Sequence, residues 1–327
     1  MNILLCIPDS KLPVHEYGGT QRVVWYLAKE LHKMGHCVTL LAEPGSECCF
    51  ADVVYYRKGV PLAEQIPPGT DIIHCQSFVE ESILDFPHVV TMHGNTLGER
   101  LDKNAVFVSR NHAERHGSTS FVYNGMDWDD YGTVDLTSPR RYFHFLGKAA
   151  WHVKNVKGAI SVAKAIPGGR LKVLGGYRLN FKMGWRFTLS PRISFYGMVG
   201  GERKCRLLNG SRGLLFPVTW EEPFGLAVTE SLYFGAPVFA TPYGSLPELV
   251  TEEVGFLTDD GAKMAQHIVA DYHYSPKTCH DYAVDCFNSR LMAERYVQKY
   301  ERVLNGETLN SRCPVATTPY SHRPWKM

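Results

Sequence analysis

The sequence predicts an α/β protein made of two Rossmann-like halves, and three observations carry this. Near the start, residues 2–7 read as a buried strand, Gly18-Gly19-Thr20-Gln21-Arg22 opens a helix, and residues 36–41 read as a second strand. The alternation restarts at residues 141–146, after a polar, proline-bearing stretch at 133–141 that reads as a linker. A chain of 327 residues also suits two domains of ordinary size. The expected division is 1–137, 138–304 and a polar, basic tail at 305–327.

The first strand leads into a polar loop at 8–17. Val23, Val24, Leu27, Leu31 and Met34 then recur at helical spacing, and Gly35 stops the helix. No full G-x-G-x-x-G is present, which argues against a dinucleotide cofactor. Paired glycines opening a helix are either a tight turn or a place where backbone comes close to a ligand. Short strands follow at 71–75 and 87–92, the second ending in His93-Gly94-Asn95. A lone histidine is usually structural, and His74 is read so. His93 instead sits at the carboxyl end of a parallel strand, where open α/β sheets bind ligands. A strand at 104–109, a helical stretch at 110–116 and the turn Asn124-Gly125-Met126-Asp127 complete this half. Asp127-Trp128-Asp129 is nominally a metal-binding D-x-D triplet, a reading that its place after Asn124-Gly125 disfavours.

Composition narrows the function classes. With 35 basic and 33 acidic residues the net charge is +2, too balanced to point to nucleic acid. The apolar fraction of 44% and mean hydropathy of −0.19 describe a globular protein with real cores. No run approaches the roughly 18 apolar residues of a membrane span. Residues 1–7 lack the basic flank of a signal peptide. Nine scattered cysteines without a C-x-x-C pair read as reduced thiols, so a cytoplasmic protein without zinc is expected.

In the second half, the strand at 141–146 ends in Gly147-Lys148 and a helix follows at 155–166. A strand at 170–174 ends in Gly175-Gly176, and one at 193–196 ends in Gly197-Met198-Val199. Between them, Arg178, Lys182, Arg186 and Arg192 alternate with Tyr177, Phe181, Trp185 and Phe187, with no acid. The i, i+4 recurrence predicts a helix with aromatics on the sheet and cations in water. The sharper readings are a site for an anionic acceptor or a membrane-surface patch.

The most informative stretch runs from Trp220 to Glu230, after an apolar strand at 213–218. Glu222 falls on a loop, and Glu230 lies about two turns into a helix at 225–234. Pro223 fixes one φ, and Gly225 lets the backbone approach a ligand. The N–H groups of Phe224, Gly225 and Leu226 then point out of a helix N-terminus, where anions bind. Acceptor-only carboxylates beside such donors suit a polyhydroxylated, phosphorylated ligand, and a nucleotide sugar is both. The plainer alternative makes Glu221 and Glu222 first-turn dipole residues and Glu230 an exposed helix face. Helical stretches near 261–272, 277–286 and 289–304 complete the chain.

Glu222-Pro223-Phe224-Gly225-Leu226 with Glu230, followed by Gly235-Ala236-Pro237-Val238 and Gly244-Ser245-Leu246-Pro247-Glu248, resembles the Glu-x7-Glu motif of retaining GT-B glycosyltransferases. The likeness is to glycosyltransferase family 4 (group 1) and runs over about residues 2–304. It implies the GT-B fold, two Rossmann-like domains facing each other across a cleft, with the acceptor side first and the donor side second. It implies transfer of a hexose from a UDP- or GDP-sugar to a hydroxyl of a saccharide or glycolipid, with no metal or other cofactor. Glu222 would serve the donor sugar and the cationic transition state, and His93 the donor sugar. Lys148, Lys154, Gly18, Gly19 and the N–H groups of Phe224, Gly225 and Leu226 would serve the diphosphate. Glu230 would take the ribose hydroxyls, and Met198 and Val199 the base.

This chain departs from the family twice: Lys148 stands where arginine is usual, and the loop at 149–153 is about one residue longer. Lysine lacks the bidentate fork of arginine. Lys154-Asn155 is the better register for the second lysine, and Lys157-Gly158 is the rival. A double displacement with Glu222 as nucleophile is the alternative chemistry. The alternative functions are another GT-B enzyme, such as a sugar-nucleotide epimerase or a phosphorolytic enzyme, and a non-catalytic nucleotide-sugar-binding partner.

Overall fold

The structure, a computed structural model, describes residues 1–14, 18–181, 185–270, 273–316 and 322–327. The chain divides into two compact units. The first holds a six-stranded parallel sheet of β1 (Asn2–Ile7), β2 (Cys37–Ala42), β3 (Asp52–Tyr55), β4 (Ile72–Gln76), β5 (His88–Met92) and β6 (Ala105–Phe107). Helices α1 (Gly19–Lys33) and α2 (Arg110–Glu114) belong to it. The strand order is β3-β2-β1-β4-β5-β6, with Leu5 paired to Leu40 on one side and His74 on the other. Leu4 and Leu5 are both fully buried, which is why β1 reads as an unbroken aliphatic run: a parallel sheet is covered on both faces.

The second unit repeats this winding. Its elements are β7 (Tyr142–Leu146), α3 (Val156–Ala165), β8 (Leu171–Leu174), β9 (Leu179–Asn180), β10 (Arg186–Phe187), β11 (Ile193–Phe195), α4 (Gly201–Asn209) and β12 (Ser211–Phe216). Then come α5 (Leu226–Tyr233), β13 (Val238–Ala240), α6 (Leu246–Leu249), β14 (Gly255–Leu257), α7 (Gly261–Val269) and α8 (Pro276–Cys286). The parallel sheet runs β11-β8-β7-β12-β13-β14, so its order reverses between β7 and β12. Ligands of open α/β sheets bind outside the carboxyl ends of strands at such a reversal. Lys148 follows β7 and Glu222 follows β12, one on each side of it.

Three features differ from the sequence expectation. First, α9 (Ser289–Leu304), expected in the second domain, packs in the first unit, and the units part between Trp128 and Asp129. Tyr296 and Tyr300 on α9 are buried, and their hydroxyls bond Thr91 Oγ1 and His74 Nδ1, both at 2.7 Å. Residue 288 passes so close that a Cβ on Gly125 would lie 2.2 Å from the Asn288 carbonyl oxygen, which explains the glycine of the Asn124-Gly125 turn.

Second, the described residues of the 305–327 tail belong to the two units rather than to a separate segment. Asn310 is buried and its amide donates to the carbonyls of Lys103 and Ala105, while residues 322–327 pack on the second unit.

Third, the described residues of 177–192 hold no helix, and β9 and β10 pair there as an antiparallel hairpin. Its apolar side chains face out: Phe181 is 68% exposed, Trp185 66% and Leu189 78%. Arg186 and Thr188 are buried, and Arg178 donates to the carbonyls of Thr188, Ser190 and Ile193. Lys182 and Tyr272 lie outside the described residues.

Candidate active site

The loop after β12 is built by long-range contacts on a short chain segment. Gly225 takes φ +98°, a left-handed conformation that favours glycine, and caps the start of α5. Glu222 is 6% exposed, and its Oε2 accepts from Lys154 Nζ at 2.6 Å and from Trp220 Nε1 at 2.8 Å. Lys154 also lies 4.9 Å from the Trp220 ring centre and 5.3 Å from that of Phe216. An ammonium held by a carboxylate and two ring faces is preorganised, because its orientation is already fixed. Asn155 makes this geometry: in a left-handed conformation it caps α3, accepting from Gly158 N, and its amide donates to the Pro217 carbonyl. The Lys154 register therefore places an ammonium on Glu222, whereas Lys157 is exposed.

Glu230 is not an exposed helix-face residue. It is 4% exposed, and its Oε1 accepts from Lys204 Nζ and from the Tyr131 hydroxyl, both at 2.5 Å. Lys204 is itself 3% exposed and lies 5.0 Å from the Tyr131 ring centre. Burying two charges costs solvation, which only close pairing and added hydrogen bonds offset. Sequence reasoning missed Lys204 and Tyr131, since nothing local marks a lysine on α4 as the partner of a carboxylate on α5. The partners of Glu221 likewise escaped it: Oε2 accepts from Gly244 N at 2.6 Å and Oε1 from Arg323 Nε at 2.5 Å.

The remaining donor-side candidates fall around the same strand ends. Lys148 is exposed, with its ammonium 5.1 Å from the Trp151 ring centre. Phe224 is buried, and its carbonyl accepts from Ser245 Oγ at 2.5 Å; Leu226 is the first residue of α5. Met198 and Val199 follow β11, Val199 buried and Met198 partly so.

Gly18, Gly19 and His93 belong to the first unit. Gly18 precedes α1 and Gly19 begins it. His93 follows β5, and its Nε2 meets Gln76 Oε1 at 2.7 Å, so this nitrogen carries the hydrogen in the neutral ring. Burial pushes the His93 ring down to about 4, leaving it neutral near pH 7. Gln76, at the end of β4, is another partner the sequence did not reveal. Asp127 of the D-x-D triplet is buried and paired with Lys29 Nζ at 2.5 Å. Among the described residues, no group of three or more His, Cys, Asp and Glu could hold a metal ion.

Comparison with known proteins bears on the segment that carries this cluster. Residues 134–283 match the model of the glycosyl transferases group 1. The matched segment takes in both candidate lysines, both motif glutamates, Lys204 and the whole sheet from β7 to β14.

An uncharacterized 41.2 kDa protein in the cps region of Klebsiella pneumoniae is 28% identical over 116 residues. The similarity spans 33% of this chain and 32% of that relative. Over the whole chain the fold is GT-B. AviGT4, a glycosyltransferase involved in avilamycin A biosynthesis, superposes with a TM-score of 0.77 at 23% identity, over 94% of this chain and 99% of its own. Anabaena HepE, in complex with UDP and glucose, gives a TM-score of 0.66 at 15% identity, over 92% and 99%.

Proposed function

We propose that this chain is a retaining glycosyltransferase that moves a hexose from a nucleoside-diphosphate sugar to a hydroxyl of a saccharide or glycolipid. The observation that carries the reading is Glu222, a buried carboxylate held by Lys154 and Trp220 just before the N-terminus of α5. In this reading the bond from the anomeric carbon to the diphosphate oxygen breaks as the acceptor oxygen bonds to that carbon from the same face. The departing diphosphate takes the acceptor proton, so no separate base is needed. Glu222 stabilises positive charge on the sugar. Lys148, Lys154 and the N–H groups of Phe224, Gly225 and Leu226 stabilise the diphosphate, with Gly18 and Gly19 allowing close backbone approach. Glu230 accepts from the ribose hydroxyls, Met198 and Val199 pack on the base, and His93 serves the donor sugar. HepE, held with UDP and glucose, supports a UDP-hexose as the first donor to try.

The lysines do the work a divalent metal does elsewhere, so transfer is expected to survive EDTA. The test is a thermal-shift screen of UDP- and GDP-sugars, followed by transfer assays with and without chelator. A donor at 100 times its Kd adds about 2.7 kcal/mol of stability. If no such sugar stabilises the protein, the donor reading is wrong. If EDTA stops transfer and manganese restores it, the metal-free part is wrong.

A second reading concerns location. The outward aromatic face of the β9–β10 hairpin favours peripheral contact with a cytoplasmic membrane surface, where aromatic rings seat well. No helix among the described residues is long and apolar enough to cross a membrane.

A further inference from the structure

We propose that residues 322–327 form a strap that positions the Glu221–Gly225 loop, with Arg323 as its positioning residue. The strap is held along its length on the second unit. Arg323 N donates to the Thr219 carbonyl at 2.9 Å, and the Pro324 carbonyl accepts from the Tyr243 hydroxyl at 2.7 Å. Lys326 N donates to the Asp259 carbonyl at 2.9 Å, and its own carbonyl accepts from Gly261 N at 2.8 Å. Trp325 packs against the core of this unit.

From this base the Arg323 guanidinium reaches Glu221. Nε donates to Oε1 at 2.5 Å, and a terminal nitrogen meets the same oxygen. Glu221 is 8% exposed, and its other oxygen takes Gly244 N at 2.6 Å. Gly244 in turn lies against Glu222: a Cβ there would stand 2.3 Å from both the nitrogen and the oxygen of that residue. Ser245 completes the contact, N to the Glu222 carbonyl at 2.9 Å and Oγ to the Phe224 carbonyl at 2.5 Å. The chain of contacts thus runs from Arg323 through Glu221 and Gly244 to the backbone of Glu222.

A first-turn glutamate that merely favoured the α5 dipole would face the helix N–H groups. Glu221 Oε2 bonds Gly244 and Oε1 bonds Arg323. A nearly buried carboxylate without its cation is costly, so loss of Arg323 frees Glu221 to turn towards water and release Gly244. Arg323 lies outside the group 1 match, and its effect on transfer rests on the donor-site reading above; its effect on the loop does not.

The test is amide hydrogen exchange on the ligand-free, full-length chain. In Arg323→Gln, exchange at Gly244 is expected to quicken about tenfold or more, while Gly261 is unchanged because the Lys326 carbonyl still holds it. Arg323→Lys should fall between parent and glutamine variant at Gly244, and should recover part of any loss in donor KM. Unchanged exchange at Gly244, or equal quickening at Gly244 and Gly261, overturns the proposal. Should the glutamine variant fail to fold, the lysine variant carries the same comparison. If the parent protein binds no nucleotide sugar, the donor reading falls and the exchange result still decides the strap.

Discussion

Glu222 lies just before α5 and Glu230 within it, and they depend on different partners. Glu222→Gln keeps the shape and removes the charge a cationic transition state needs. We expect kcat to drop by about 100-fold or more, with nucleoside-diphosphate affinity little changed. Steady-state rates beside calorimetric titration of UDP or GDP check this, and near-parental kcat would remove Glu222 from the chemistry. Glu230→Ala has two effects. It removes a charged acceptor from the ribose, worth about 1.5–3 kcal/mol of nucleotide affinity. It also takes the paired carboxylate from the buried Lys204 ammonium, which costs about 3–5 kcal/mol of stability. The two separate in the double variant Glu230→Ala with Lys204→Met, which should regain stability without regaining affinity. Unchanged UDP and GDP affinity in Glu230→Ala would contradict the ribose assignment.

At the scale of elements, the hairpin of β9 and β10 has its polar face inward. Arg178 and Arg186 serve hairpin carbonyls, Arg186 Nη2 donating to that of Tyr177 at 2.9 Å, so changing the arginines would disturb the fold itself. The rings are the cleaner probe. With Phe181, Trp185 and Phe187 changed together to Ser, binding to anionic vesicles at low salt is expected to weaken by about tenfold or more, since each buried ring contributes about 1.5–3 kcal/mol. Co-sedimentation across a salt series measures it. A parent protein that ignores the vesicles, or a variant that binds them equally, would end the membrane reading. In hindsight the strand pattern was in the sequence: Tyr177, Leu179 and Phe181, then Trp185, Phe187 and Leu189, recur at period two. The i, i+4 recurrence of cations concealed it.

For the molecule as a whole, acid should act through both sheets. His74 in β4 and His144 in β7 are each pushed down to about 3 by burial. The unfolded chain protonates both near pH 6.5, and the native state does not until far lower. Stability is therefore present above about pH 6.5 and is lost as pH falls towards 3, by about 1.4 kcal/mol per pH unit for each histidine. His88 opposes this: its bond to Asp102 raises it against the lowering effect of burial. His93, His112 and His116, also lowered by burial, act in the same sense as His74 and His144, so a net loss remains and Tm should fall between pH 7 and pH 5. His144→Gln should flatten the slope in the second unit. A Tm that stays level over that range would show that these histidines do not control acid stability.

What the sequence determined by itself was local. Aliphatic runs placed most strands, glycines marked where helices begin and end, and the Glu222–Glu230 spacing found the loop and helix on which the proposed site stands. Those signals are legible because a strand or helix repeats its burial pattern within a few residues. The tertiary structure decided which partners the pattern meets. It gave α9 to the first sheet through Tyr300 and His74, which are 226 residues apart, and brought Arg323 to Glu221 across 102. It also set Lys204 on Glu230 and Gln76 on His93. Periodicity reports that a face is buried but not against what, and a single charged side chain has no periodicity at all. The folded neighbourhood alone decides whether such a residue is solvated, structural or part of a site.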